Sequence, residues 1–441
     1  MPPPADAHKH ADGTDHVELA LQRMLAVLGG DRAAWRDANL ELRETMVDHA
    51  ARTCPYYREV APPGTTFSEI PILTKQVIRE RHDDLLSQAV PAERRVASKT
   101  SGSTDGVPLH FVRDAAQGPL EYDAGRRFLL ALEGIPADAT MVWVATRPAP
   151  FPGVSTEGDP PGLIPVPTLG LGRREVRRLL RGLRRLDCWY LYGHASALAW
   201  IAETARAGRS PRPLAVVTTA ETLTPDAQRT IEDAFRCPVH SWYGSNEFNG
   251  FVLGTEPGSR RYVYNPFLVH IEVLDEDGGL TDPGAMGRLI MTDLNNYAMP
   301  FLRYDTGDLA IADDPEAALP RLGEIQGRSS EVLVLERGVR LTPILVGWKL
   351  FIDHDLGRHV RAWQCAQVDE RTVELRIVWR DGRRAEAELI SAMREVTGER
   401  AEVRVRAVEE LERLPSGKAW VLRRLIGPQT DGSDFQTPHE E

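Results

Sequence analysis

Short apolar runs alternate along this chain with stretches whose apolar residues recur every three or four positions. Val17 to Leu28 has helical spacing, and so do residues 34–53, which place Leu40, Leu42, Met46 and Ala50 roughly on one face. Cys54-Pro55-Tyr56-Tyr57-Arg58-Glu59 reads as a turn, and Thr74 as the N-cap of a helix from Lys75 to Leu86. Asp114 to Glu133 reads as one long helix. Met141–Ala145, Trp189–Gly193, Leu214–Thr219 and Pro238–Tyr243 are apolar runs of buried-strand length. Between them, Arg173–Asp187, Ser196–Ala207 and Thr224–Phe235 have helical spacing, the last with Pro225 at its first position. Residues 146–170 are rich in Pro and Gly, have no period, and read as a long functional loop. Strand–helix–strand alternation predicts a parallel layer, and ligands gather at the carboxyl ends of such strands.

From about Tyr262 the pattern turns mostly β, with strands expected at Val269–Leu274, Arg288–Thr292, Leu309–Ala312 and Leu322–Ile325. Beyond it, strand-like and helix-like runs alternate again. The expected fold class is therefore α/β: a large N-terminal α/β domain with a β-rich subdomain over residues 17–327, and a small mobile C-terminal α+β domain over 331–427. Residues 328–330 would be the hinge. Residues 1–16 and 428–441 are polar and expected to be disordered.

Composition narrows the function. Of 441 residues, 42% are hydrophobic and 27% charged, the mix of a soluble globular protein. The formal net charge of −11 argues against non-specific nucleic-acid binding and against an anionic membrane surface. No apolar run approaches the roughly 18 residues that span a bilayer, and the polar N-terminus is no signal peptide. A cytoplasmic location is expected. The four cysteines lie far apart without a CxxC pair, as reduced thiols do. Cys237 and His240 supply only half of a zinc site. Nothing in the composition excludes a homodimer.

The stretch with most chemistry is Lys99-Thr100-Ser101-Gly102-Ser103-Thr104-Asp105-Gly106-Val107-Pro108, between strand-like Arg95–Ser98 and Leu109–Val112. A hairpin tip of small hydroxyls and bare N–H groups can close around phosphate oxygens; alone it could equally be a surface turn. It is not a Walker loop, since Asp105, Val107 and Pro108 stand where a Lys-Ser/Thr pair is needed.

In order along the chain, Thr100–Pro108, Tyr243-Gly244-Ser245-Asn246-Glu247, Arg303-Tyr304-Asp305-Thr306-Gly307-Asp308, Gly327-Arg328 and Pro415-Ser416-Gly417-Lys418 resemble the motifs of adenylate-forming enzymes: acyl-CoA synthetases, adenylation domains and luciferases. Cys54-Pro55-Tyr56-Tyr57-Arg58 and Ile72-Leu73-Thr74-Lys75 look more narrowly like the phenylacetate–CoA ligase branch. The resemblance covers roughly residues 40–425. It implies an ATP-dependent, AMP-forming ligase that adenylates a small, aromatic carboxylic acid and passes the acyl group to CoA or another nucleophile. An adenylate-forming diazotase, activating nitrite to diazotise an aryl amine, and a non-catalytic nucleotide-binding protein are the alternatives.

The same resemblance implies the site. Thr100, Ser101, Gly102, Ser103, Thr104 and Gly106 would grip the ATP phosphates. Glu247, with Thr104, would hold Mg²⁺, and Lys418 would reach the reacting carboxylate and the α-phosphate. Ala220, Glu221, Thr222, Trp242, Tyr243 and Gly244 would line the adenine pocket, with Asp308 and Arg328 on the ribose. Trp143, Ala145, Arg147, His194, Ser245, Asn246 and Asn249 are candidates for the substrate pocket, and Ser330 for the hinge. Departures from the family pattern are the added Asp105, Asn246 where a hydroxyl residue is usual, Ser330 where an Asp is common, and Ile344-Leu345-Val346 without the usual glutamate. Residues 254–266 lack the Cys and His of the zinc cluster found in some relatives.

Overall fold

The computed structural model describes residues 16–100, 109–116, 120–145, 162–167, 172–205, 210–248, 250–328, 333–335, 339–341, 346–347, 349–354, 356, 359–380, 385–397, 401–412 and 420–426. Two helices, α1 (His16–Val27) and α2 (Arg32–Thr53), lead into the short α3 (Pro55–Val60) and α4 (Lys75–Glu80). The hairpin β1 (Arg95–Lys99) and β2 (His110–Asp114) follows, and then α5 (Gly125–Leu132). The central layer comprises β3 (Thr140–Ala145), β4 (Leu163–Pro167), α6 (Arg173–Leu183), β5 (Trp189–His194), α7 (Ala195–Ala205), β6 (Val216–Thr219), α8 (Pro225–Phe235), β7 (Val239–Tyr243), β8 (Leu253–Thr255) and β9 (Tyr262–Tyr264). A second sheet takes β10 (Val269–Leu274), β11 (Met286–Asp293) and β12 (Tyr304–Ile311); β13 (Arg321–Leu322) and β14 (Ile325–Arg328) come next. The last part carries β15 (Leu333–Leu335), β16 (Val339–Leu341), β17 (Val360–Asp369), β18 (Thr372–Trp379), α9 (Glu386–Thr397), β19 (Glu402–Ala407) and β20 (Leu422–Arg424).

The central sheet runs β13-β9-β8-β7-β6-β5-β3-β4. Its strands β4, β3, β5, β6 and β7 are parallel, as the alternating pattern predicts. One face buries Val142, Val144, Leu191 and Val216 against α6, α7 and α8. The opposite face presents Met141, Tyr190, Tyr192 and Trp242 to a larger core that includes Phe128, Leu129 and Leu130 of α5. Sidedness of this kind follows from the two-residue period of a strand. The second sheet, β10-β11-β12-β14, is antiparallel. A four-stranded mixed sheet, β19-β18-β17-β20, packs with α9 around a separate core that includes Cys365, Leu375, Ile377 and Leu389. The α/β fold class with a β-rich part and a small C-terminal α+β unit is the one expected.

Several local expectations are corrected. Residues after Cys54 form a helix, because Pro55 at its first position starts one as readily as it turns a loop. Thr74 does cap α4 through its side chain, but the helix ends at Glu80 and a separate 3₁₀ turn covers Asp83–Leu85. Asp114 closes β2, and the helical stretch ending at Leu132 opens with a π turn at Leu120–Ala124. Within the expected loop 146–170, Leu163–Pro167 is an edge strand, where prolines are tolerated. Ser196 lies inside α7 and does not cap it.

Two histidines, His240 buried and His270 partly buried, make the fold acid-sensitive. His270 hydrogen-bonds Asn39 Oδ1 through Nδ1 and accepts from Arg43 at Nε2, at 2.8 and 3.2 Å. Burial, then the charges of Arg43 and Arg303, push its pKa down to about 3. Burial pushes His240 down to about 4. Below about pH 6.5 the unfolded chain takes up protons that these two folded sites refuse. Stability is therefore lost as pH falls from 6.5 toward 4, at up to roughly 1.4 kcal/mol per pH unit for each histidine. Urea midpoints at pH 7 and pH 5 check this; His270→Asn should flatten the slope.

Candidate active site at the carboxyl edge of the central sheet

A cleft of about 1360 Å³ opens where the parallel strands end. Ala145 closes β3 there, His194 closes β5 and Tyr243 closes β7; the turn Ala220–Thr222 follows β6, and Gly244–Glu247 follows β7. Thr100 and Leu109, the neck of the hairpin loop, reach the cleft from one side. Asp308 and Arg328 reach it from β12 and β14, where they are cross-strand partners. Arg361, Trp363, Arg380 and Trp420 of the C-terminal unit form the remaining wall. That wall is fastened to the large unit: Arg380 Nη1 lies 3.4 Å from Glu203 Oε1, and the Trp363 indole donates to the buried carboxyl of Asp226.

Tyr243 and Asp308 meet directly. The phenol donates to Asp308 Oδ2 at 2.6 Å, and Arg328 Nε lies 3.8 Å from Oδ1. Burial first, and then the Asp308 carboxylate, pushes the Tyr243 phenol well above its usual range, so it stays a neutral donor. Glu247 sits in the 3₁₀ turn Asn246–Phe248 and is 7% exposed. Its Oε1 accepts from the Tyr304 hydroxyl at 3.0 Å. Burial and the Glu247 charge likewise raise the Tyr304 phenol.

The β7 turn has its shape because the chain folds back on itself. A Cβ on Gly244 would stand 1.3 Å from the Gly250 carbonyl oxygen, so only glycine fits. Asn246 Nδ2 donates to the Lys99 carbonyl at 3.1 Å, and Arg113 donates to the Asn246 carbonyl. Asn246 thus joins the hairpin neck to the glutamate turn. At the neck, Thr100 N–H donates to the Leu109 carbonyl and Leu109 N–H to Thr100 Oγ1, both at 2.9 Å. Ala220 holds φ at 61°, a left-handed conformation costing a non-glycine residue about 1–3 kcal/mol and found where function over-determines the backbone. Glu221 Oε2 accepts from the Ser196 N–H at 2.9 Å, and its Oε1 lies 3.9 Å from His194 Nδ1.

Of the expected site residues, Thr100, Trp143, Ala145, His194, Ala220, Glu221, Thr222, Trp242, Tyr243, Gly244, Ser245, Asn246, Glu247, Asp308 and Arg328 all line this one cleft. Ser101, Gly102, Ser103, Thr104, Gly106, Arg147, Asn249, Ser330 and Lys418 lie outside the described residues. Sequence reading missed Glu133. It is fully buried behind the cleft wall, accepts from Trp242 Nε1 at 2.7 Å, and is pushed by burial well above the carboxylate range. Missed too was the partnership of Tyr304 with Glu247.

No family model matches the chain. In sequence it is similar to a phenylacetate–coenzyme A ligase of Thermus thermophilus, 31% identical over 154 residues, 33% of this chain and 34% of that protein. A second, from Aromatoleum evansii, is 40% identical over 77 residues, 17% of each chain. The matched stretch thus spans about a third of the first relative's length and less of the second's. In structure it is similar to 2-hydroxyisobutyryl-CoA ligase in the postadenylation state, bound to an acyl-AMP, with a TM-score of 0.70 over 96% of this chain and 94% of that one, at 17% identity. The chain has the fold of the adenylate-forming ligases. In that fold the cleft between the large and small units is continuous from the β6 turn to Trp420, and the described cations and carboxylates of the resemblance face it from both sheets. Among the described residues no helix is long and apolar enough to cross a membrane.

Proposed function

We propose that this protein is an AMP-forming ligase that adenylates an aromatic carboxylic acid with ATP and passes the acyl group to CoA. One observation carries the reading: the Tyr243–Glu247 turn, Asp308 of β12 and Arg328 of β14 converge on a single cleft at the carboxyl ends of parallel strands. The acid's carboxylate attacks the α-phosphorus, pyrophosphate leaves, and an acyl-adenylate forms. A thiolate then attacks the acyl carbon and AMP leaves. Negative charge builds on phosphate oxygens in the first step, so oriented donors and cations must already be in place. Tyr243 offers a ring face to adenine. Asp308, fixed by the Tyr243 hydroxyl, accepts from the ribose, and Arg328 beside it donates. The loop 101–106 takes the phosphates, and Lys418 reaches the α-phosphate and the acid. Glu247 keeps carboxylate lone pairs beyond its bond from Tyr304, the hard oxygen donor that suits Mg²⁺. Bound there, Mg²⁺ would offset phosphate charge. Trp143, His194 and Ser245 border the space left for the acid.

The test is a screen of release of pyrophosphate and AMP with three sets of substrates: aryl acids alone, aryl acids with CoA, and aryl amines with nitrite. ATP-dependent pyrophosphate release with an aryl acid, completed to AMP and a thioester by CoA, is the expected result. Turnover only with amine and nitrite would replace acyl activation by diazotisation. Silence in all three sets would remove the ligase reading.

A further inference from the structure

The cleft extends beyond the turns at the sheet edge and continues along α7. Ser196, Ala199, Trp200 and Glu203 line it at helical spacing, over about 10 Å of the helix. The C-terminal unit faces this stretch, and its Arg380 lies 3.4 Å from Glu203. His194 stands where the two parts of the cleft meet. It closes β5, α7 begins at the next residue, and its side chain lines the cleft and is 25% exposed. A molecule entering along α7 would therefore meet this imidazole beside the turns that follow β6 and β7.

Glu221 reaches the same imidazole from the β6 turn. Its Oε1 lies 3.9 Å from His194 Nδ1, and its Oε2 accepts from the Ser196 N–H, in the first turn of α7, at 2.9 Å. The carboxylate is only 10% exposed, so the helix that begins beside the histidine also holds its partner in place. The residue before Glu221 is Ala220, whose left-handed φ of 61° is kept at a cost in backbone strain. His194 and Thr219 are register partners of β5 and β6, which sets the imidazole next to the turn that carries Glu221. A carboxylate at one ring nitrogen favours the tautomer with its proton there, on Nδ1, and makes Nε2 the basic nitrogen. Other charged groups facing the cleft from the elements around it include Arg173 of α6, Glu203 of α7, Glu247 after β7 and Arg380 of the C-terminal unit.

We propose that His194 is the general base of the transfer step, drawing the proton from the acceptor thiol, and that Glu221 is its positioning residue. The inference rests on the ligase reading and deepens it by assigning the activation of the acceptor. A thiol is largely protonated at pH 7 and attacks poorly until its proton is drawn off. As the sulfur bonds to the acyl carbon, the S–H proton passes to His194 Nε2. The bond from that carbon to the phosphate oxygen breaks, and AMP leaves with the electron pair. Glu221 stabilises the imidazolium, which returns its proton to water.

The test uses the full chain, the aryl acids of the pyrophosphate-release screen, and CoA as the thiol. Pyrophosphate exchange reads the first step, and single-turnover thioester formation from preformed adenylate reads the second. Hydroxylamine trapping shows how much adenylate each variant holds. His194→Gln should lower the ratio of transfer to exchange roughly a hundredfold or more at pH 7, the size of a lost general base. Wild-type transfer should fall as pH drops through the imidazole titration, and this inflection should be missing in His194→Gln. Glu221→Gln can still accept from the Ser196 N–H but carries no charge. It should lower the ratio by a smaller factor and move the inflection to lower pH, because the imidazolium loses its counter-charge. An equal fall of exchange and transfer in His194→Gln would make His194 a wall of the acid's pocket, and transfer with the wild-type pH profile would place acceptor activation elsewhere; either result overturns the proposal. A wild type that exchanges no pyrophosphate with any of the acids removes the ligase reading and the general base with it, whereas exchange with unaltered transfer in the variant removes the general base alone.

Discussion

Glu247→Gln should lower adenylate formation by roughly two decades or more, the size of one lost electrostatic contact in a preorganised site, while the melting temperature holds. Gln keeps the volume and keeps an Oε1 that can accept from the Tyr304 hydroxyl. What it loses is the negative charge. Glu247 stands at the carboxyl edge of the sheet, 7% exposed, on a turn pinned by Gly244 and by Asn246. A residue placed so expensively for charge, with an oxygen facing the cleft, is suited to a divalent cation and poorly suited to core packing. Pyrophosphate exchange measured across a Mg²⁺ titration, beside a thermal melt, checks the claim. The variant should show a low maximal rate and a weakened Mg²⁺ dependence. If exchange persists while the melting temperature drops, Glu247 is an anchor for Tyr304 and nothing more.

The parallel layer was legible because each of its strands is a short apolar run bracketed by Pro, Gly or a capping hydroxyl; β10 and α8 fall where the pattern puts them. The β4 edge was not, since Pro165 and Pro167 look like loop residues until the sheet order shows that one side of the strand is unpaired. The described cleft residues were legible for a different reason: their chemical types recur at motif spacing, so Tyr243, Glu247, Asp308 and Arg328 could be named without knowing which strands bring them together. Arg126 and Glu133 carry no such mark. Seven residues apart, they share one face of a helical run that no motif marks. Only the packing of α5 on Tyr190 and Trp242 turns that face inward. Arg303 heads the motif that carries Asp308, and its side chain runs into the fold onto Glu272.

That orientation makes Arg303→Ala the most destabilising single change expected in the large unit. Arg303 is 5% exposed and forks onto Glu272, Nε to Oε2 and Nη2 to Oε1, both at 3.0 Å. Its Nη1 donates to the carbonyls of Ser68 and Ile70, and the guanidinium carbon lies 5.8 Å from the Phe67 ring centre. Its backbone adopts φ of 49°, donates to Thr292 Oγ1 at 2.9 Å and accepts from Leu73 N–H at 3.0 Å. One residue therefore ties the Phe67–Leu73 segment to β10 and β11, at the root of the strand that carries Tyr304 and Asp308. Alanine would leave Glu272, 8% exposed, as a buried charge without its cation, together with two carbonyls short of a donor. Breaking a buried pair from one side costs about 3–5 kcal/mol, a large share of the 5–15 kcal/mol typical of a folded protein. The denaturation midpoint should fall accordingly with an unchanged m-value, and activity should be lost by unfolding, with the surviving folded fraction still turning over. Arg303→Met combined with Glu272→Leu removes both charges and fills the space, so it should recover much of the loss that either single change produces. If the double variant is as unstable as the sum of the singles, the ion pair is not what Arg303 contributes, and the two backbone carbonyls with the left-handed turn must account for it.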